Sequence, residues 1–532
     1  MRVLESHVNP LSERYQSNLN AMLGLVAELQ GHLAQSLYQG EEKYLARHRA
    51  QGKLTARERV EALLDPDSHF LELMPLAGLG QEHISTGASM VAGIGRVSGV
   101  ECAINASVPT IRGGAMNTMT LQKGLRLDSI AEENHLPLVY LIESAGADLT
   151  RQAEIFNPGG AAFRNIARRS RQGIPSLSVV FGSCTAGGAY IPGMSDYVIM
   201  VQNQARAFLA GPPLVRMATG EVVDEESLGG ADMHGRLSGL ADAVAQDEEE
   251  ALLLAREAIE TLFYQKPSQR SLLPADPPLY ASEEILGIAS ADPRLPFEIR
   301  EIIARIVDGS RFAEFKPDYG STLVTGFASI YGYPIGIIAN NGVLFSQSAQ
   351  KGVQFIQLCN QRNVPLLFLQ NITGFMVGRE YEEGGIIKNG AKLINAISNS
   401  TVPALTVIVG ASYGAGNYGM CGRAYNPRFL FTWPNSKIAV MGPEQLAGVL
   451  EMVQREAANK AGKAVDEERL AKMRGHLHSQ VSLESSPWYA SSRIWDDGVI
   501  DPRDTRHVLG IALSTAYNAP VQGTEGYGVF RM

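Results

Sequence analysis

Cysteine is scarce in this chain: four residues in 532, at 102, 184, 359 and 421, far apart and with no Cys-x-x-Cys pair. That excludes a disulfide framework or a zinc-ribbon spacing and leaves free thiols packed as small apolar groups in a reducing cytoplasm. No uncharged apolar run approaches the ~18 residues that span a bilayer. The opening Met-Arg-Val-Leu-Glu-Ser-His has no apolar stretch of the signal-peptide kind. Basic charge is also short. With 46 Lys and Arg against 55 Asp and Glu, the formal charge of −9 supplies no net field to attract nucleic acid or an anionic membrane, although a local basic pocket for a phosphorylated ligand remains compatible. Nucleotide signatures are missing as well. No G-x-x-x-x-G-K-[ST] occurs, Gly93-Ile-Gly95 lacks a third glycine at the dinucleotide spacing, and no G-x-S-x-G elbow is present. His476 and His478 sit in a polar stretch without a local Cys or His partner, so a surface pair is expected and no metal centre.

Against these absences stands a long internal duplication. Leu-Pro-Leu-Val-Tyr-Leu at 136–141 returns as Val-Pro-Leu-Leu-Phe-Leu at 364–369. Ile-Pro-Ser-Leu-Ser-Val-Val-Phe-Gly at 174–182 returns as Val-Pro-Ala-Leu-Thr-Val-Ile-Val-Gly at 402–410. Lys123-Gly124 returns as Lys351-Gly352, and all three matches keep one constant offset, the step from Pro137 to Pro365. Gly93 pairs with Gly326 at a slightly longer offset, so a short insertion lies between. The segment from Asp65 resembles that from Asp308, Ala210-Gly211-Pro212 matches Met441-Gly442-Pro443, and the segment from Ser238 matches that from Asp497. Ordered matches over such a period mean two homologous domains rather than a solenoid. Lys266-Pro267 and Pro274-Ala-Asp-Pro-Pro278 break helical continuation, so the boundary is placed near 270–285, dividing the chain into 1–275 and 276–532. Residues 11–64 read as helices with Leu23, Leu25, Val26 and Leu29 on one face. In each half a helix (119–133; 349–361) leads into a short apolar run, and helices 246–264 and 443–460 close the halves. Continuous apolar strands alternating with helices imply an α/β fold with buried, mostly parallel sheets.

Each paired strand ends in a loop of small residues. After the first come Glu143-Ser144-Ala145-Gly146-Ala147 and Asn371-Ile372-Thr373-Gly374-Phe375. After the second come Thr185-Ala186-Gly187-Gly188-Ala189 and Tyr413-Gly414-Ala415-Gly416-Asn417. If helices start at these glycines, their free N–H groups and positive dipole ends favour a developing oxyanion. One donor of such a hole is worth roughly 3–4 kcal/mol of transition-state stabilisation. The plain alternative is that the glycines only let helices pack closely on strands. Glu143, Asp148 and Asp196 are the carboxylates nearest the first-half loops, and capping or structural roles compete there with general-base work. Two oxyanion sites without an obvious protein base suit a reaction that passes negative charge between two acceptors, with the base supplied by substrate or cofactor.

At these residues the chain resembles the carboxyltransferase (β) subunits of biotin-dependent acyl-CoA carboxylases, along essentially its whole length. The resemblance rests on Gly52-Lys-Leu-Thr-Ala-Arg-Glu-Arg59, Gly220-Glu-Val-Val with Leu228-Gly-Gly-Ala-Asp232, Asn371-Ile-Thr-Gly-Phe-Met-Val-Gly378 and Gly416-Asn-Tyr-Gly-Met-Cys-Gly-Arg-Ala-Tyr425. The last two are similar to the methylcrotonyl-CoA/geranyl-CoA branch. The resemblance implies a tandem pair of crotonase-like domains, with each active site between the N-domain of one protomer and the C-domain of another, in a hexamer. It implies that carboxybiotin supplies CO2, that N1′ of biotin removes the substrate proton, and that the thioester enolate attacks CO2. By position, Gly187 and Gly188 serve the thioester oxygen with Ala145 and Gly146 alongside. Ala415 and Gly416 serve biotin with Gly374 and Phe375 alongside. Arg112, Gly113, Gly114 and Lys123 fall on the CoA side. Ala471-Lys472-Met473 lacks the Met that precedes a biotinylated Lys, and no ATP-binding carboxylase region is seen. Biotin is therefore expected on a partner α subunit, which also uses the ATP and Mg.

Both substrates of this branch share a 3-methyl-2-enoyl thioester head carboxylated at the γ-carbon. Methylcrotonyl-type members carry bulkier residues and a slightly longer segment where this chain has Asn157-Pro158-Gly159-Gly160-Ala161-Ala162. Gly159, Gly160 and Ala161 would open volume for the isoprenoid tail of geranyl-CoA; a flexible turn opening a helix is the alternative. Geranyl-CoA is the expected substrate, with methylcrotonyl-CoA next. A crotonase-type hydratase, an acyl-CoA decarboxylase on the same scaffold and a non-catalytic assembly role are the rival readings.

Overall fold

The computed structural model describes residues 1–267, 272–462 and 464–532; the 268–271 part of the expected boundary lies outside them. Seventeen strands are found among the described residues: β1 (Arg2–Val3), β2 (Leu71–Glu72), β3 (Met90–Val97), β4 (Val100–Ser107), β5 (Leu138–Ser144), β6 (Ser176–Thr185), β7 (Tyr197–Val201), β8 (Arg206–Phe208), β9 (Ala243–Ala245), β10 (Arg311–Glu314), β11 (Leu323–Ile330), β12 (Tyr333–Asn340), β13 (Leu366–Ile372), β14 (Ala404–Tyr413), β15 (Phe429–Thr432), β16 (Lys437–Ala439) and β17 (Gly498–Val499). One sheet runs β2-β3-β4-β5-β6-β7-β9, with β8 on the end of β6. The other runs β1-β10-β11-β12-β13-β14-β15-β17, with β16 on the end of β14. In each, an antiparallel meander leads into a parallel set. Even the irregularities repeat: β5 and β6 shift register between Ile142 and Ser144, β13 and β14 between Gln370 and Ile372.

Local chemistry accounts for the paired strands. Helix Thr118–Glu133 starts at Asn117, whose side chain accepts the Met119 and Thr120 N–H groups, and it stops at Asn134. His135 takes a φ of 52° and Pro137 follows, which no helix continues through. The apolar run then enters the sheet centre as β5, buried on both faces. A continuous apolar cluster joins the two sheets, from Met22 and Leu63 to Phe431 and Leu513.

Three expectations are corrected. The N-terminal arm does not belong wholly with the first half. β1 pairs antiparallel with β10, Arg2 opposite Phe312, and the Ser6 hydroxyl (2.7 Å) and His7 N–H (2.8 Å) donate to Glu301. The open edge of β10 offers an unpaired ladder, and the arm fills it. Helix Glu13–Ser36 buries Asn18, Met22, Val26 and Leu29, while Leu23 stands 43% exposed. Helix Pro443–Lys460 does not close the second half. It packs on helix Glu467–Glu484, and Thr505–Ala516 occupies the place that Glu248–Glu260 fills in the first.

Candidate active site

At the end of β6 the chain takes a left-handed step at Ala186 (φ 54°) and enters a 3-10 turn, Ala186–Ala189, then helix Tyr190–Met194. At the end of β14, Gly414 takes the same step (φ 55°) into helix Gly414–Gly419. The two steps are equivalent positions of the duplication. A non-glycine residue held in this region is strained, and the conformation recurs in both halves at the same place. The N–H groups of Gly187 and Gly188, and of Ala415 and Gly416, lie in first turns where helices leave donors unmet. Neither turn has a side-chain cap, and no acceptor elsewhere among the described residues takes these four donors. A Cβ at Gly188 would meet nothing within 4 Å, whereas one at Gly416 would lie 2.6 Å from Ile372 Cγ1. The first turn is open; the second fits only glycine at 416.

The loops after β5 and β13 contribute less than expected. The Ala145 N–H donates to the Gly113 carbonyl (2.9 Å), so it is not a free oxyanion donor, and the Gly146 N–H donates to Ser144 Oγ (3.2 Å). The matching bridges Met116–Ala147 and Leu344–Phe375 make Gly374 the counterpart of Gly146 and Phe375 that of Ala147. The Phe375 ring lies under the second turn, near enough that a Cβ on Gly390 or Gly419 would sit 3.1 or 3.2 Å from it. It supports the turn from below.

None of the three carboxylates nearest the first-half loops is poised as a base. Glu143 is clamped by Lys53, by Arg59 (2.7 Å) and, through Arg59, by the Glu248 that shares this guanidinium (2.7 Å). Burial pushes its carboxyl up, but Arg59 and Lys53 outweigh this and hold it below its ordinary range. The 52–59 motif thus anchors the loop floor. Asp148 caps Thr150 (3.0 Å to its N–H) and Asp196 binds the Ser176 N–H (2.7 Å) and Ser170 Oγ (2.8 Å). Lys123 is also corrected: it is wholly buried, its ammonium donates to the carbonyls of Gly87 (3.1 Å) and Met90 (2.8 Å), and burial pushes it down to about 8. It closes a turn and touches no cleft.

Arg112 and Gly113 do line a cleft of about 660 Å³, with Ala145 and Ser183 at its floor and Tyr38, Tyr44, Arg47 and His48 on its far wall. Gly114 is fixed by crowding, since a Cβ there would collide with the Glu143 carbonyl oxygen. The far wall escaped sequence reasoning; its only signal was the basic Arg47-His48-Arg49 ending helix Glu42–Ala50. Gly159, Gly160 and Ala161 do not form a turn. They lie inside helix Gln152–Arg171, a Cβ at 159 or 160 would meet nothing within 4 Å, and Phe163 on the same helix comes within 3.5 Å of a Cβ on Gly187. The small-residue stretch therefore runs beside the first amide turn. All four cysteines are buried free thiols, and no described helix is long and apolar enough to cross a membrane.

Residues 47–526 match the carboxyl transferase domain model. The chain belongs to the carboxyl transferase family. It is 55% identical over its full length to a probable biotin-dependent acyl-coenzyme A carboxylase beta2 subunit of Mycobacterium tuberculosis, itself covered completely. It is 50% identical to a probable methylcrotonoyl-CoA carboxylase beta chain of Drosophila melanogaster, across the whole chain and 95% of the relative. The crystal structure of the P. aeruginosa geranyl-CoA carboxylase beta subunit superposes with a TM-score of 0.90 at 44% identity, covering 99% of each chain. The chain is thus a carboxyltransferase (β) subunit of the biotin-dependent acyl-CoA carboxylases, with their crotonase-like α/β fold.

Proposed function

We propose that the two amide turns divide the reaction between them: Gly187 and Gly188 donate to the thioester oxygen of an acyl-CoA, Ala415 and Gly416 to the ureido oxygen of biotin. The observation that carries this reading is the pair of uncapped, left-handed turns at equivalent places in the two halves, each with donors that no described residue takes. The donors gain strength as their acceptors gain charge, so they favour the transition state over the bound thioester. Biotin, brought by a partner α subunit that uses ATP and Mg, supplies the CO2 and the base. The clamped state of Glu143 fits that division, because no carboxylate beside the turns competes for the proton. A second copy completes each site, first half against second half. Tyr190 and Tyr418, each 47% exposed beside its turn, with Val377, Ile387 and Val440, form apolar surface for such a contact in a homo-oligomer, taken as a hexamer. A cytoplasmic location accords with four free thiols.

The 660 Å³ cleft suits the CoA moiety, with Arg47 and Arg112 toward its phosphates and the Gly113–Gly114 backbone beside the pantetheine arm. Arg47→Ala should raise KM for the thioester about three- to tenfold with kcat little changed, as expected for an exposed charge contact. An unaltered KM would remove Arg47 from the site.

For the acyl group we favour geranyl-CoA. Gly159, Gly160 and Ala161 leave the helix face beside the thioester turn almost bare of side chains, where a longer tail can lie. Steady-state kcat/KM for geranyl-CoA and 3-methylcrotonyl-CoA tests it; strong preference for the short thioester overturns it. Gly160→Phe should lower kcat/KM for geranyl-CoA by roughly 10–100-fold and leave the short substrate within about twofold, in line with the value of a few methylenes in an apolar pocket. The second reading, 3-methylcrotonyl-CoA, is favoured by relatives of that name at 50% and 51% identity.

A further inference from the structure

The two halves hold their amide turns by different means. In the first half Ile142, Cys184 and Ala189 surround the turn. The Cys184 thiol makes a single weak bond to the Gly188 carbonyl (3.3 Å), and burial pushes that thiol up to about 12. At the same three places of the second half stand Gln370, Ser412 and Asn417, and all three change from apolar or weakly polar to strongly polar together. Their side chains form one directed relay. Asn417 Nδ2 donates to Ser412 Oγ (2.8 Å), Ser412 Oγ donates to Gln370 Oε1 (2.6 Å), and Gln370 Nε2 donates to the Met420 carbonyl (2.6 Å). Asn417 lies inside helix Gly414–Gly419 and Met420 caps its end, so both the body and the end of the short helix are tied to the strands beneath. Gln370 and Ser412 are wholly buried, the amide dipoles cannot turn without leaving a donor or acceptor unmet, and such a network is stiff for that reason. Ser412 also faces Ile372 in the sheet register, and Ile372 is the side chain against which Gly416 is packed.

We propose that Gln370, Ser412 and Asn417 are positioning residues for the Ala415 and Gly416 donors. They hold the biotin-side turn rigid. The acyl-side donors have only the weaker Cys184–Gly188 bond beside them, the other tie of that half, Ser178 to Ser195 to the Ile191 carbonyl, acting on the helix that follows, and so among the described residues they keep more freedom to adjust to different thioesters. This inference rests on assigning the second turn to biotin. Breaking one link would strand buried polar groups and confuse folding with positioning. The informative variant therefore replaces the whole relay by the first-half residues, Gln370→Ile with Ser412→Cys and Asn417→Ala, which removes the side-chain donors and acceptors together and leaves a single group, the Met420 carbonyl, without its donor.

The assay uses the full chain alone, following carboxyl transfer from the carboxylated thioester to free biotin as release of the decarboxylated acyl-CoA. Gly416→Ala runs beside it as a variant of the turn itself, and thermal unfolding is measured for each. With the relay replaced, KM for free biotin should rise about tenfold or more, KM for the thioester should stay within about twofold, and the unfolding midpoint should stay close to that of the parent. If Gly416→Ala impairs use of biotin while the relay variant leaves it unaltered, or weakens both substrates equally, the positioning role is overturned. If Gly416→Ala itself leaves biotin kinetics unaltered, the assignment of the second turn to biotin falls, and the relay inference falls with it.

Discussion

Gly416→Ala is expected to lower kcat for carboxyl transfer by roughly 10²–10³-fold, the cost of losing one well-placed oxyanion donor. The added methyl would stand 2.6 Å from Ile372 Cγ1 and 3.4 Å from Gly374 Cα. Ile372 is β-branched, wholly buried and fixed in the sheet, so the helix start must move instead. A shift of a few tenths of an ångström is small for the fold and large for donors that must meet an oxygen at hydrogen-bond distance. Single-turnover kinetics with loaded biotin measure it directly; activity within about threefold of the parent would show that the Gly416 amide is not used. Gly188→Ala gives the complementary case. Its methyl meets nothing within the chain, so an unchanged unfolding midpoint with lost activity would place the obstruction at the ligand.

Asp497→Ala should destabilise the fold by about 3–5 kcal/mol, the range for removing one member of a buried ionic cluster. Its carboxylate receives Arg126 from helix Thr118–Glu133 of the first half (2.8 and 2.9 Å), Arg423 from beyond the second amide turn (2.9 Å) and the Leu430 N–H (2.8 Å). Without it, two buried guanidinium groups face each other across the junction of the halves. Denaturant unfolding reads the loss, and an unmoved midpoint contradicts it. The pH dependence follows. Burial pushes Asp497 up, but Arg126 and Arg423 reverse this and set it at about 2. A folded value below the unfolded ~3.9 means stability that is present above about pH 4 and lost as pH falls toward 2. The neighbouring Asp496 has the opposite sign: burial pushes it up to about 6, so its ionisation costs stability as pH rises from about 4 to 6. Asp496→Asn should flatten the curve over that window and leave the acid limb, which belongs to Asp497, in place.

Much of the molecule was legible before any coordinates. The Pro-opened apolar runs at 136–141 and 364–369, their return at a constant offset and the small residues at 187–188 and 415–416 are local signals, read from a few neighbouring residues, and they led to the duplicated α/β fold and its family. They did not say where each backbone donor ends. Ala145 looks as free as Gly188 in sequence, yet only Ala145 is taken by Gly113, a partner on a different loop. Lys123 and Arg112 read alike as basic residues near a CoA loop, but one is sealed under two carbonyls and the other lines the cleft. The N-terminal arm, the Arg126–Asp497 tie and the Gln370–Ser412–Asn417 relay share one trait: each joins segments brought together by folding rather than by chain order. Periodicity and turn chemistry act over a few residues, so the order of residues was enough to specify the elements and their duplication. Which donors remain unspent depends on long-range pairing, and that was decided only when the two halves folded against each other.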